Sequence, residues 1–156
     1  MAGFPPSPQM ARALDEARAA ALRGEVPIGA VVSAPDGTLL AAAGNRTLEL
    51  GDPTAHAELL AIRAACAALG SERLPGCTLH VTLEPCPMCA SAISQARIAT
   101  LVYGASDPKS GGVEQGPRIF THPQSHHVPE VIAGISASES ARLLTDFFKR
   151  LREPGA

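Results

Sequence analysis

His56 and Glu58 stand two residues apart in DPTAHAELLAI, at the head of an apolar run, and Cys86 and Cys89 stand three apart in TLEPCPMCASAI. A helix that only fills a core needs none of these four. Pro87 suits the first turn of a helix, and a spacing of three puts both sulfurs on one helical face, able to meet one ion. A helix N-terminus carries partial positive charge and favours thiolate over thiol. His56 is expected in the first turn of its own helix. If the two N-termini face each other, they bring together one imidazole and two thiolates. That donor set suits zinc with a fourth position left for water, and its summed charge is zero. Glu58 is too near His56 in sequence to share its helical face, so it is expected beside the metal-bound water rather than on the metal. Zinc lowers the pKa of bound water from ~15.7 to about 7, and a neighbouring carboxylate can take that proton and hand it on. Taken alone, C-x-x-C also fits a structural zinc half-site or a redox pair, His56 a helix residue, and Glu58 a complement to the helix dipole.

The elements that must position these residues can be read from periodicity. Ser7-Pro8 starts a first helix that Arg23-Gly24 stops, with Met10, Leu14, Ala17 and Ala21 as its apolar stripe. PIGAVVSA and TLLAAAGN read as two strands joined by a Pro35-Asp36-Gly37 turn, a hairpin that Asn45 closes. A helix is expected from about Thr54 to Leu69, stopped by Gly70, with Ala55, Leu59, Ile62, Cys66 and Leu69 on one face. CTLHVTL is a third strand, Pro87 to about Ala96 a helix, and ATLVYG a fourth strand. Ala105–His127 is polar and rich in Gly, Pro and His, and a loop that long is usually functional. VPEVIA is a short strand, with Val128-Pro129 suggesting an edge. Ser136 and Glu139 have the spacing of a capping box. The last helix then carries Leu144, Phe147, Phe148 and Leu151 on one face and ends at Pro154-Gly155. Strands alternating with helices make an α/β domain, and a leading hairpin makes the sheet mixed.

Composition bounds the function. The chain has 156 residues, 46% hydrophobic and 18% charged, which suits one compact domain over residues 1–156 with 1–6 a flexible terminus. Aromatics are 3% with no Trp, which argues against a broad base-stacking platform. Net charge is −2, so any nucleic-acid contact must be local rather than a basic coat. No run is long and apolar enough to span a membrane, and MAGFPPSPQM lacks the pattern of a secretory signal. A cytoplasmic location is expected, with Cys66 and Cys77 as small buried hydrophobes rather than disulfide partners.

H-x-E followed by P-C-x-x-C resembles the zinc-dependent nucleoside and nucleobase deaminases. The segments EVPIGAVV, GNR, DPTAHAE, TLEPCPMCA, ARI, YGASDPKSG and DFFKRLR are similar, in that order, to the bacterial tRNA-specific adenosine deaminases, from about Ala11 to Arg152. The chain departs from that pattern at His126-His127-Val128, where the family often has Asn-His-Arg, and so lacks an Arg that could meet phosphate. The resemblance implies a cytidine-deaminase-like three-layer α/β fold, a five-stranded mixed sheet flanked by helices. It implies one zinc per chain on His56, Cys86 and Cys89, with Glu58 as general acid/base. It also implies a homodimer, and hydrolytic deamination of adenosine to inosine at the wobble position of a tRNA anticodon stem-loop. An anticodon loop is single-stranded, so a base can enter a pocket without melting a duplex. Asn45 and the backbone near Ala57 are then expected at the base edge. Asp107, Lys109 and His122 of the long loop, with Phe148 and Arg150 of the last helix, are expected at the substrate. Each has a plainer reading: Asn45 as a turn residue, the others as solvated loop groups, a core aromatic and a helix-end cation. Two other functions fit fewer of these features. One is a small-molecule guanine, cytosine or nucleoside deaminase. The other is a non-catalytic zinc-bearing RNA-binding subunit, which would be expected to lack Glu58.

Overall fold

A computed structural model describes residues 5–153; the first four residues of the expected flexible terminus, and Pro154-Gly155, lie outside the described residues. Helix α1 spans Pro8–Leu22, and the Ser7 hydroxyl caps it by accepting from the Met10 N–H at 3.2 Å. Its buried line is Met10, Ala13, Leu14, Ala17 and Ala20, so Ala20 replaces the expected Ala21. The shift follows from where α1 docks. A Cβ on Gly29 would sit 1.9 Å from the Ala13 carbonyl oxygen, so helix and strand backbones touch along the alanine side.

Gly29–Ser33 and Leu39–Gly44 form β1 and β2, an antiparallel hairpin with an irregular register between Val32 and Ser33. Asp36 accepts from the Thr38 N–H at 2.9 Å, and Gly37 takes φ +90, which closes the expected turn. Thr47–Leu50 then forms α2, a short helix that no apolar period announces. The Glu25 carboxylate holds it, accepting from the Leu48 N–H at 3.1 Å and the Glu49 N–H at 2.8 Å.

Helix α3 spans Ala57–Leu69 and starts after Thr54, not at it. Asp52 accepts from the Thr54 N–H at 2.8 Å and its hydroxyl at 2.7 Å, which spends Asp-Pro-Thr on a turn. Gly70 ends the helix in the left-handed region, as expected. The buried face is Ala57, Glu58, Ala61, Ile62 and Ala65. Of the expected face, Ala55 and Ile62 are buried, Leu59 and Cys66 half-buried, and Leu69 exposed. Alanines let the helix lie close on the sheet, and the larger side chains are left on its flanks.

Thr78–Leu83 is β3, Pro87–Gln95 α4, Thr100–Ala105 β4, Glu130–Ile132 β5 and Ala137–Leu151 α5. The sheet order is β2-β1-β3-β4-β5; β1 runs antiparallel to both neighbours, and β3, β4 and β5 are parallel. This is the expected five-stranded mixed sheet, with β5 at an edge. Helices α3 and α4 pack on one face over Ala30, Leu79, Val81, Leu101 and Tyr103. Helix α1 and Leu143 of α5 pack on the other over Val31 and Val102.

Two expectations for α5 fail. Ser136 takes φ +58 and makes no side-chain cap, while Glu139 pairs with Arg18 of α1, so there is no capping box. Nor is the Leu144, Phe147, Phe148, Leu151 face a core face: Ser140 is the only buried residue of α5, Leu144 and Phe147 are half-buried, and Phe148 and Leu151 are exposed. Leu144 and Phe148 of that face line a cavity.

Candidate active site

The cavity, about 490 Å³, opens at the end of the sheet where β3 and β4 finish with Leu83 and Ala105 and β1 is entered through Ile28. Open α/β sheets place ligand crevices at such ends. Val26, Ile28, Leu83 and Leu144 give it apolar walls, and His56, Glu58 and Cys86 its reactive side.

His56 is the N-cap of α3 and Cys86 the N-cap of α4, both in extended conformation. The expectation that His56 lies within a first helical turn is therefore off by one position. The extended cap turns the imidazole towards the other helix. His56 Nδ1 lies 3.6 Å from Cys86 Sγ and 3.5 Å from Cys89 Sγ, and the three donor atoms fall within 4.8 Å of one another. A hydrogen bond from the Cys89 thiol and another from His56 hold Cys86 down, to about 4, against its burial. The Cys86 contact and burial push the Cys89 thiol up. The bond to Cys86 also raises His56, against its partial burial. The site thus favours a thiolate on Cys86 and a thiol on Cys89, whose proton a divalent cation would displace.

Glu58, in the first turn of α3, is 4% exposed, and its Oε1 has no hydrogen-bond partner. Burial pushes it up, to about 7, against the pull of its own backbone N–H and of His56. An orphaned carboxylate oxygen beside two thiols and an imidazole fits a group that serves a bound metal and its water, since a purely structural buried oxygen is normally satisfied. The residues present therefore fit zinc.

Of the expected substrate residues, Asp107, Lys109 and Phe148 line the cavity. Ala57 is buried between His56 and Glu58 and does not line it. Asn45 is buried beside α2, where its amide donates to the Thr47 hydroxyl at 3.5 Å. His122 lies on the surface and contacts the Pro117 carbonyl oxygen at 2.6 Å. Arg150 sits with Asp146, Lys149 and Glu153 in a shallow depression on the far end of α5. The structure does not bring Asn45, His122 or Arg150 to the cavity.

Among the cavity residues that the sequence reading does not single out, Glu84 is the buried acid. Glu84, 2% exposed, lies two positions before Cys86 and lines the cavity. Burial works to raise it, but the N–H groups of Asp107, Gln115, Glu114 and Val113 prevail and hold it below the usual carboxylate range. The glycine pair Gly111-Gly112 was the available signal, since adjacent glycines mark close backbone approach.

Residues 7–152 match the family of MafB19-like deaminases. A tRNA-specific adenosine deaminase of Agrobacterium fabrum is 59% identical over 143 residues, which cover 92% of this chain and 93% of that protein. A tRNA(Ile)-lysidine synthase of Deinococcus deserti is 49% identical over 146 residues, but the match spans only 27% of that longer protein. A solved structure from work on A-to-I editing by tRNA:A34 deaminases at the wobble position superposes with a TM-score of 0.85 at 60% identity, covering 87% of this chain and 98% of the other.

Proposed function

The chain belongs to the MafB19-like deaminase family, and from that premise we propose that it converts adenosine to inosine at the wobble position of a tRNA anticodon. The observation that carries the reading is the orphaned Glu58 oxygen beside the His56, Cys86 and Cys89 donors, at the wall of a cavity with room for a base. The near full-length likeness to tRNA-specific adenosine deaminases supports the substrate.

The reaction exchanges the C6 amine for an oxygen from water and releases ammonia. His56, Cys86 and Cys89 would hold one zinc, whose Lewis acidity makes water nucleophilic near neutral pH. Glu58 Oε1 would carry two protons in turn from the attacking water, the first to the ring nitrogen beside C6 and the second to the leaving amine, so that both hydrogens of water are accounted for in the ring N–H and in ammonia. Its raised pKa suits a group that both accepts and donates near neutrality. Phe148 and Lys109 line the cavity, and their proposed roles are to meet a flanking base and a phosphate. Asn45, Ala57, His122 and Arg150 remain proposed contacts of the bound RNA.

We also place the protein in the cytoplasm, as a homodimer. The flank between α3 and α4, with Leu59, Ile62, Met88 and Ala92 rimmed by Arg63, Glu72 and Gln95, is the groove we propose for a second copy. Sedimentation of a Met88→Glu variant tests it: an unchanged mass would count against this face.

The test of function is ammonia release from an anticodon stem-loop, compared with free adenosine, guanine and cytosine over a salt series. A few phosphate contacts should give a slope of log K against log salt near −2, using ~0.7 per phosphate for about three phosphates. Turnover of guanine or cytosine, with none on any stem-loop, would leave a small-molecule deaminase instead.

A further inference from the structure

Glu84 follows β3 directly, and both of its carboxylate oxygens are spent on one stretch of chain. Oε1 accepts from the Ser106 hydroxyl at 3.2 Å and the Asp107 N–H at 3.0 Å. Oε2 accepts from the N–H groups of Val113, Glu114 and Gln115 at 3.1, 2.9 and 3.0 Å. Three successive N–H groups on one oxygen form an anion cradle of the kind usually offered to a ligand; here a side chain of the protein fills it. Bonds from N–H to a carboxylate are about twice as strong as neutral ones.

The stretch so held is the wall of the cavity. Ser106, Asp107, Lys109 and Ser110 all line it. Asp107 in turn accepts from the N–H groups of Lys109 and Ser110, at 3.2 and 3.1 Å, and so closes the turn that carries Lys109. The same stretch lies flat on the ligand turn. Gly112 donates to the Pro85 carbonyl at 2.8 Å. A Cβ on Gly111 would sit 2.6 Å from the Glu84 carboxyl, and one on Gly112 2.5 Å from the Pro87 nitrogen.

We propose that Glu84 is a positioning residue for substrate. It fixes the Ser106–Ser110 wall at a set distance from the Cys86–Cys89 turn, so that a bound base meets the reacting group in register. It touches no reacting atom itself. The role rests on the proposed deaminase reading for its kinetic test and on the loop geometry for its structural one.

The experiment compares Glu84→Gln and Glu84→Asp with wild type, each loaded with zinc. A glutamine keeps one acceptor and turns an NH₂ donor on either the Asp107 end or the 113–115 end of the clamp. Glu84→Gln should bind one zinc per chain and melt cooperatively. Amide exchange at 107 and 113–115 should quicken relative to 79–83, and KM for the stem-loop should rise by roughly tenfold or more, with a smaller change in kcat. Glu84→Asp keeps the charge and should recover part of the KM. Unchanged KM with a loosened loop would overturn the proposal, as would unchanged exchange. Loss of zinc or of cooperative melting in both variants would make Glu84 a folding residue and overturn it too. If wild type fails on every stem-loop, the proposed function falls, and the exchange arm alone decides for or against the clamp.

Discussion

Glu58 combines two demands that pull against each other: it must be near a cation and out of water. Burial raises it from 4.5 to about 7 in the metal-free protein. The folded state then holds the proton more tightly than the unfolded chain does, so stability falls as pH rises between those two values. Metal-free Glu58→Gln should therefore melt above metal-free wild type at pH 8, and the gap should close as pH drops through 7 towards 4.5. A gap that ignores pH would mean that Glu58 is not buried as a proton carrier. With zinc present, the same variant should keep metal and fold but lose about 10²–10⁴-fold in turnover; near wild-type turnover would remove Glu58 from the mechanism. His56, Glu58, Cys86 and Cys89 were legible because their chemistry depends on short spacings within two segments. Glu84 was not, because its five partners come from residues 106–115, and nothing in TLEPC by itself says which chain it will meet.

The elements were legible wherever a cap or a turn residue acts locally. Ser7, the Pro35-Asp36-Gly37 turn and Gly70 all behave as their types demand. Sequence reading failed where a distant side chain competes: Arg18 of α1 draws Glu139 away from the capping box, and Glu25 builds α2 from a stretch without apolar period. Ser136 is then left in the left-handed region with nothing gained from its hydroxyl. Replacing it by glycine removes about 1–2 kcal/mol of backbone strain and adds about 0.4–1 kcal/mol of unfolded-chain entropy. A net gain of roughly 0.5 kcal/mol should appear as a raised urea midpoint at unchanged slope, and a lowered midpoint would mean that the hydroxyl does cap α5. Gly29→Ala is the opposite case. Its methyl meets the Ala13 carbonyl at 1.9 Å, so α1 must move off the sheet at a cost of about 3 kcal/mol. Wild-type thermal stability in that variant would contradict the close contact of α1 and β1.

At the scale of the whole chain, the donor triad ties α3 to α4 across a separation of 30 residues between His56 and Cys86. A metal bound there constrains the folded molecule and releases the protons it displaces. Titration of metal-free protein with zinc near pH 7 should release at least one proton, from Cys89, and removal of the metal by a chelator should lower the melting temperature. Proton-neutral binding would mean that Cys89 is not a ligand. The sheet topology adds a dimension that the static picture lacks, namely time. Its β2-β1 half is a hairpin with α1 against it, made from neighbours in sequence, whereas β3, β4 and β5 are parallel and need long crossovers. Loop-closure entropy makes local pairings early and crossover pairings late. The 8–44 segment should acquire protected amides first in pulse-labelled refolding, and the pocket last. A chain emerging from the ribosome would then carry a formed hairpin well before it owns a complete set of ligands, and for that interval its cysteines would stand open to oxidation, with nothing yet to shelter them.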